Sequence, residues 1–156
     1  MLLIKNGRVI DPKSGFYGVR DIYIREGNII EISEDIQAIG VEEIDARGLM
    51  VSPNLTAISI SGKEKMSALD AVLSFGLYLV AKGHLSLMDL LKKMAIETAS
   101  ADYSSVSFLA EGGPENLMIF SAQEANLADH DSKMNSQISK GCVKYTIMNG
   151  KIVYHA

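Results

Sequence analysis

The chain has 156 residues, 47% of them hydrophobic, with 15 Lys+Arg against 19 Asp+Glu and a formal net charge of −4. That length suits one domain with its own hydrophobic core, and it is too short for a complete (β/α)8 barrel, which takes about 250 residues. The mildly acidic balance argues against nucleic acid or an anionic membrane as the main partner, and the lone Cys142 excludes an internal disulfide and fits a reducing cytosol.

The first third reads as short strands separated by turn signals. Leu2–Lys5 and Arg8–Ile10 flank Asn6-Gly7, a dipeptide that favours the positive φ of a type I′ turn, so a hairpin is expected there. The opening MLLIKNGRVI turns polar after four residues and lacks the apolar core of a signal peptide. Asp11-Pro12 and Gly15 break the pattern. Asp21–Arg25 alternates, with Ile22 and Ile24 on one face, and turns at Glu26-Gly27 into Asn28–Ser33. Glu42–Asp45 and Leu49–Ser52 follow, separated by Ala46-Arg47-Gly48. So many short strands predict a sandwich or barrel-like sheet.

The middle reads as helical. From Ser67 to about Lys82 the residues Leu69, Val72, Leu73, Leu77 and Val80 recur at helical spacing, and Phe75 and Tyr78 widen the apolar face. Gly83 is a natural terminator, because glycine takes the left-handed conformation freely. Ser86 then offers an N-cap, with Asp89 three residues on. Leu87, Leu90, Leu91, Met94 and Ala95 give a second helix one apolar face. The most apolar window, Ala68–Ala81, contains Asp70 and is too short to span a bilayer. A cytoplasmic protein is expected.

Strands return at Asn116–Ser121, Val143–Met148 and Lys151–Tyr154, the last two flanking Asn149-Gly150 as a second expected hairpin. Ala125–Lys140 is polar and reads as a loop. IKNGRVI near the start echoes IMNGKIV near the end, which reads as two solutions to one turn problem. The expected fold is α+β: one domain over 1–156, a composite β-sandwich from 1–61 and 112–156, and a helical hairpin over 66–100.

This pattern resembles the amidohydrolase superfamily, and within it dihydroorotase. LLIKNGRVIDPKSG is similar to that family's opening hairpin, and IDARGLMVSP to the segment leading into its first barrel strand. YLVAKGHLSLMDLLKKMAIETA is similar to the last barrel helix and the helix after it, and GCVKYTIMNGKIVY to the closing hairpin. The resemblance implies that both chain ends build one β-sandwich, and that most of a catalytic TIM barrel is missing between about residues 62 and 66.

The family's segment P-G-x-x-D-x-H-x-H, whose two histidines bind the catalytic zinc, corresponds here to Pro53-Asn54-Leu55-Thr56-Ala57-Ile58-Ser59-Ile60-Ser61. Ser59 and Ser61 stand where the histidines would be, and Ala57 where the aspartate would be. A neutral hydroxyl is a poor ligand for a divalent metal that takes imidazole, thiolate or carboxylate. The family's other ligands belong to the missing segment. No catalytic residue, no metal ligand and no cofactor is therefore carried over.

Other candidates have plainer readings. His84 sits in the turn between the helices, where capping or packing is the ordinary role. Asp129-His130-Asp131 lies in a polar loop, and adjacent residues rarely converge on one metal. His155 is beside the C-terminus and is expected to fray. Cys142 opens a strand with no base beside it and reads as structural. Asn54-Leu55-Thr56 fits a glycosylation sequon with no secretory context, and Gly112-Gly113-Pro114 is a turn.

The first helix is more informative, because in the resembled enzymes a barrel would cover it. Leu69, Val72, Leu73, Phe75, Leu77, Tyr78 and Val80 form the expected interface unless the second helix and the sandwich cover them. These readings imply a dihydroorotase-like protein without catalysis that acts as an interaction or structural protein. Its partner would be a second copy or another protein, with aspartate carbamoyltransferase implied by analogy. The open alternative is a dihydroorotase or cyclic amidase of pyrimidine biosynthesis whose metal site another chain completes.

Overall fold

A computed structural model describes residues 1–53, 63–98, 111, 116–122 and 143–156; within the helices it describes the side chains of 72–81 and 87–94. In chain order the elements are β1 (Leu2–Asp11), β2 (Phe16–Arg25), β3 (Asn28–Ser33), β4 (Glu42–Asp45), β5 (Met50–Pro53), α1 (Lys63–Ala81), α2 (Leu87–Thr98), β6 (Leu117–Phe120), β7 (Val143–Met148) and β8 (Lys151–His155). The strands form one mixed sheet in the order β3-β2-β1-β5-β6-β7-β8, with β4 paired to β1. The expected α+β architecture is the one the chain adopts, and the N-terminal strands meet the C-terminal strands where β5 pairs antiparallel with β6.

The hairpin expected at Asn6-Gly7 is not there. β1 runs straight through both residues, and its pairing with β2 passes from Ile4↔Ile22 to Gly7↔Arg20, so Lys5 and Asn6 share the single opposing residue Asp21. This is a β-bulge. Asn6 takes the positive φ, 60°, that the dipeptide favours, but spends it on a bend in the strand. The chain reverses later, at residues 12–15, where Gly15 has φ 80° and the Asp11 carboxylate accepts from Lys13 N at 3.0 Å and Ser14 Oγ at 2.8 Å. At the other end Asn149 and Gly150, at φ 50° and 71°, do form the expected hairpin between β7 and β8. The two echoing segments are thus one bulge and one turn.

Gly7 is required for a second reason. β4 and β5 lie end to end along one side of β1, both parallel to it, and the connection between them crosses at Gly7. Ala46 N donates to Lys5 O, and Arg8 N to Leu49 O. A Cβ on Gly7 would lie 2.5 Å from Val51 Cγ2 and 3.4 Å from Ala46 Cβ. Only glycine allows that approach.

Two cores result. One gathers Leu2, Ile4, Val9, Ile22, Ile24, Ile29, Ile44, Val51, Leu117, Ile119 and Ile147, so side chains from both ends of the chain share one sandwich interior. The other lies between the opposite sheet face and the helices, joining Met50, Met118 and Phe120 to Leu73, Leu77, Leu90, Leu91 and Met94. β6 explains its own sequence: Leu117 and Ile119 point to the first core, Met118 and Phe120 to the second. A strand covered on both faces reads as a continuous apolar run, not as an alternation.

The helical hairpin follows its signals closely. Gly83 has φ 80°, and the bonds His84 N to Leu79 O and Gly83 N to Val80 O close α1 as a Schellman motif. Ser86 Oγ accepts from Asp89 N at 3.0 Å and caps α2. α1 begins earlier than the apolar period predicts, because Lys63–Met66 are good helix formers without being part of that stripe. Gly76 lets the helices meet: a Cβ there would collide with the Leu90 side chain.

Candidate functional site

Ser59 and Ser61 lie outside the described residues, as do Asn54-Leu55-Thr56, Gly112-Gly113-Pro114, Asp129-His130-Asp131, Cys142 and the Ala125–Lys140 stretch. The described chain does place the strand that leads to the serines. β5 ends at Pro53 and pairs there with Leu117 of β6, buried throughout. Among the described residues, no three His, Cys, Asp or Glu side chains converge so as to hold a metal ion.

The helix face divides in two. Leu73 and Leu77 are 0% and 3% exposed and belong to the chain's own core, so these two are not available to a partner, while Val80 packs against that core and stays half-buried. The interface expected from sequence narrows accordingly. Val72 and Phe75 are 56% and 45% exposed, and Tyr78 is half-buried with its ring stacked on Phe75, centroids 6.4 Å apart. The Leu69 side chain is outside those described. On α2 the outward positions are the charged Asp89, Lys92 and Lys93, an ordinary solvated face. α1 presents apolar groups instead.

His84 is exposed and contributes its backbone N–H to the helix end. His155 does not fray: it pairs with Tyr145 as part of β8, and its ring stacks on Tyr145 with centroids 4.3 Å apart and an 11° interplanar angle. The stacking, together with the bond from Ala156 N to Lys144 O, ties the strand end down.

Two arrangements were not legible in the sequence. The first centres on Asp21, 1% exposed, which sits at the β1 bulge. Its carboxylate accepts from Asn6 N at 2.8 Å and Ile36 N at 3.0 Å, and Lys5 Nζ lies 3.6 Å away. Lys5 also donates to Asp35 Oδ1 at 3.3 Å and Ile36 O at 3.2 Å. Partial desolvation works to lower the Lys5 pKa, but the hydrogen bond to Asp35 and the charges of Asp21 and Asp35 outweigh it, leaving it raised. The available signal was the alternation of β2 itself, which sets Asp21 on the face opposite Ile22; the bulge, the Lys5 side chain and the segment at Ile36 all close on that position.

The second is a cleft of about 500 Å³ on the β1–β2 hairpin, lined by Val9, Asp11, Ser14, Phe16, Arg20 and Ile32. The Arg20 guanidinium lies over the Phe16 ring, 5.2 Å from its centroid. Its sequence signal is faint, since Gly18 between Phe16 and Arg20 reads as an ordinary weak strand position.

No family model matches the chain. A dihydroorotase of Streptococcus pneumoniae serotype 4 is 52% identical over 64 residues, covering 41% of this chain and 15% of that protein. One from Lactococcus lactis subsp. lactis is 43% identical over 99 residues, covering 58% of this chain and 23% of that protein. Over these segments the chain is similar to dihydroorotases. It spans less than a quarter of the length of these dihydroorotase relatives. Among solved structures, a D-hydantoinase (dihydropyrimidinase) from Thermus sp. matches with a TM-score of 0.33 and 28% identity, covering 47% of this chain and 18% of that one. No helix among the described residues is long and apolar enough to cross a membrane.

Proposed function

We propose that this chain is a dihydroorotase-like protein of the cytoplasm that works as an interaction or structural protein and not as a hydrolase. The observation that carries the proposal is the direct pairing of β5 with β6, Met50↔Phe120 through Pro53↔Leu117. The strand that leads toward the first barrel strand in the resembled enzymes is hydrogen-bonded to the first strand of the C-terminal half. Residues 54–116 between them include α1 and α2 and are far too few for a barrel. The donor set agrees: the family's zinc needs imidazole at two positions that here carry Ser59 and Ser61, and serine hydroxyls do not fit it. The exposed Val72 and Phe75 of α1 supply the contact surface, toward a second copy or another protein such as aspartate carbamoyltransferase.

The same exposed face supports a second reading, in which a separate barrel chain docks on α1 and completes a cyclic-amidase site. One set of measurements separates the two. The purified chain is incubated with zinc, desalted, analysed for bound metal and assayed for dihydroorotate hydrolysis, with light scattering alone and beside aspartate carbamoyltransferase. The proposal expects no stoichiometric zinc, no turnover, and a mass above that of the monomer in at least one mixture. Stoichiometric zinc with turnover overturns it.

A further inference from the structure

The cleft on the β1–β2 hairpin is built around a missing side chain. A Cβ on Gly18 would press on Phe16 Cζ at 3.2 Å and touch Arg20 Nη1 at an ordinary 3.8 Å, so glycine leaves the ring room beside the guanidinium. Val9, 1% exposed, and the half-buried Ile32 supply apolar walls. The volume, about 500 Å³, is in the range of small-molecule sites.

The polar groups set the ligand's chemistry. Asp11 is 1% exposed, and its carboxylate is engaged by Lys13 N and Ser14 Oγ. Arg20 is the cation of the cleft. Its Nη1 donates to Val19 O at 2.7 Å and lies 3.5 Å from Glu34 Oε1, while Nε and Nη2 have no partner among the described residues. Glu34 is 83% exposed, and such a surface pair is worth little, so it competes weakly. A guanidinium edge with two free N–H groups beside an aromatic face matches a planar carboxylate, which it can bind bidentately.

We propose that this cleft binds a small planar monocarboxylate, its charge on the Nε–Nη2 edge of Arg20 and its apolar body against Phe16, Val9 and Ile32. The test is an amide chemical-shift titration of the whole chain with benzoate, and with benzamide as the uncharged match. Benzoate is expected to shift Gly15, Gly18 and Val19 with a dissociation constant of about 1 mM. Benzamide should bind about tenfold more weakly, because a charge-assisted pair becomes a neutral one.

Arg20→Gln should weaken benzoate to the benzamide level, and Glu34→Gln should tighten it by removing the competing carboxylate. Arg20→Lys, which keeps the charge and loses the fork, should fall between, and it decides the matter if Arg20→Gln fails to fold. Equal binding of benzoate and benzamide, undiminished binding by Arg20→Lys and Arg20→Gln, or no shifts up to about 20 mM would each overturn the proposal.

Discussion

The backbone N–H of Asn6, held at a φ of 60°, donates to Oδ1 of the buried Asp21 at 2.8 Å. This bond joins the bulge on β1 to the one residue of β2 that the bulge faces, while Oδ2 of the same carboxylate holds Ile36 N at 3.0 Å. Asp21→Ala would leave both donors without that acceptor and strand part of the Lys5 charge. Losing a buried, charge-assisted acceptor shared by two donors costs about 2–4 kcal/mol. The measurement is the urea midpoint at neutral pH, with Asp21→Asn expected to retain part of the stability. A loss below about 0.5 kcal/mol for the alanine variant would show that water replaces the carboxylate without cost.

Gly7→Ala tests the crossing of the β4–β5 connection. The added methyl would stand 2.5 Å from Val51 Cγ2, and Val51 is fully buried in a strand. A β-branched side chain has few rotamers with which to retreat, so overpacking of about 1–3 kcal/mol is expected. Gly15→Ala is the matched control: it has open space around it and only its φ of 80° against it. It should cost about 1 kcal/mol. A Gly7→Ala variant no worse than Gly15→Ala would mean that β5 shifts freely.

These two sites mark where sequence reading ran out. Asn6-Gly7 and Asn149-Gly150 are the same dipeptide between similar residues, yet one bends a strand and the other reverses it. The local preference for positive φ at Asn was legible in both. What distinguishes them is the partner: β1 is clamped by β2 on one side and by β4 and β5 on the other, so reversal at Asn6 would forfeit the pairings that Gly7–Asp11 make with β2 and β5. The helix ends at Gly83 and Ser86 were legible because their determinants lie within a few residues. The cleft was not, because it depends on the fold of Phe16 and Arg20 over a glycine whose only sequence mark is the lack of a side chain.

Alkaline pH should weaken the Lys5 cluster. The Lys5 pKa is raised in the folded chain by Asp35 and Asp21 despite the opposing effect of desolvation. A raised folded value means the stabilisation is fully present below the ordinary lysine range and is lost as the pH rises through the folded value. Tyrosines titrate in the same region, so the readout is a difference: the urea midpoint of the native chain minus that of Lys5→Met, followed from pH 8 upward past about 10.4, the unperturbed lysine value. The difference should hold constant at first and then shrink. A difference that grows with pH would give the shift the opposite sign.

Leu73 and Phe75 stand two residues apart on α1 and face opposite ways, 0% and 45% exposed. Leu73→Ala should open a cavity among Leu77, Leu91 and Phe120 and cost about 2–5 kcal/mol at any protein concentration. Phe75→Ala removes a ring that α2 and the sheet do not enclose, so in a monomer its cost should stay near about 0.5 kcal/mol. If α1 is the contact between two copies, the Phe75→Ala loss becomes concentration-dependent, because association adds stability by mass action. Thermal midpoints of both variants over a hundredfold concentration range decide this. A Phe75→Ala deficit that grows with concentration, beside a Leu73→Ala deficit that does not, assigns the outer face of α1 to a second copy; parallel curves leave that face to a different protein.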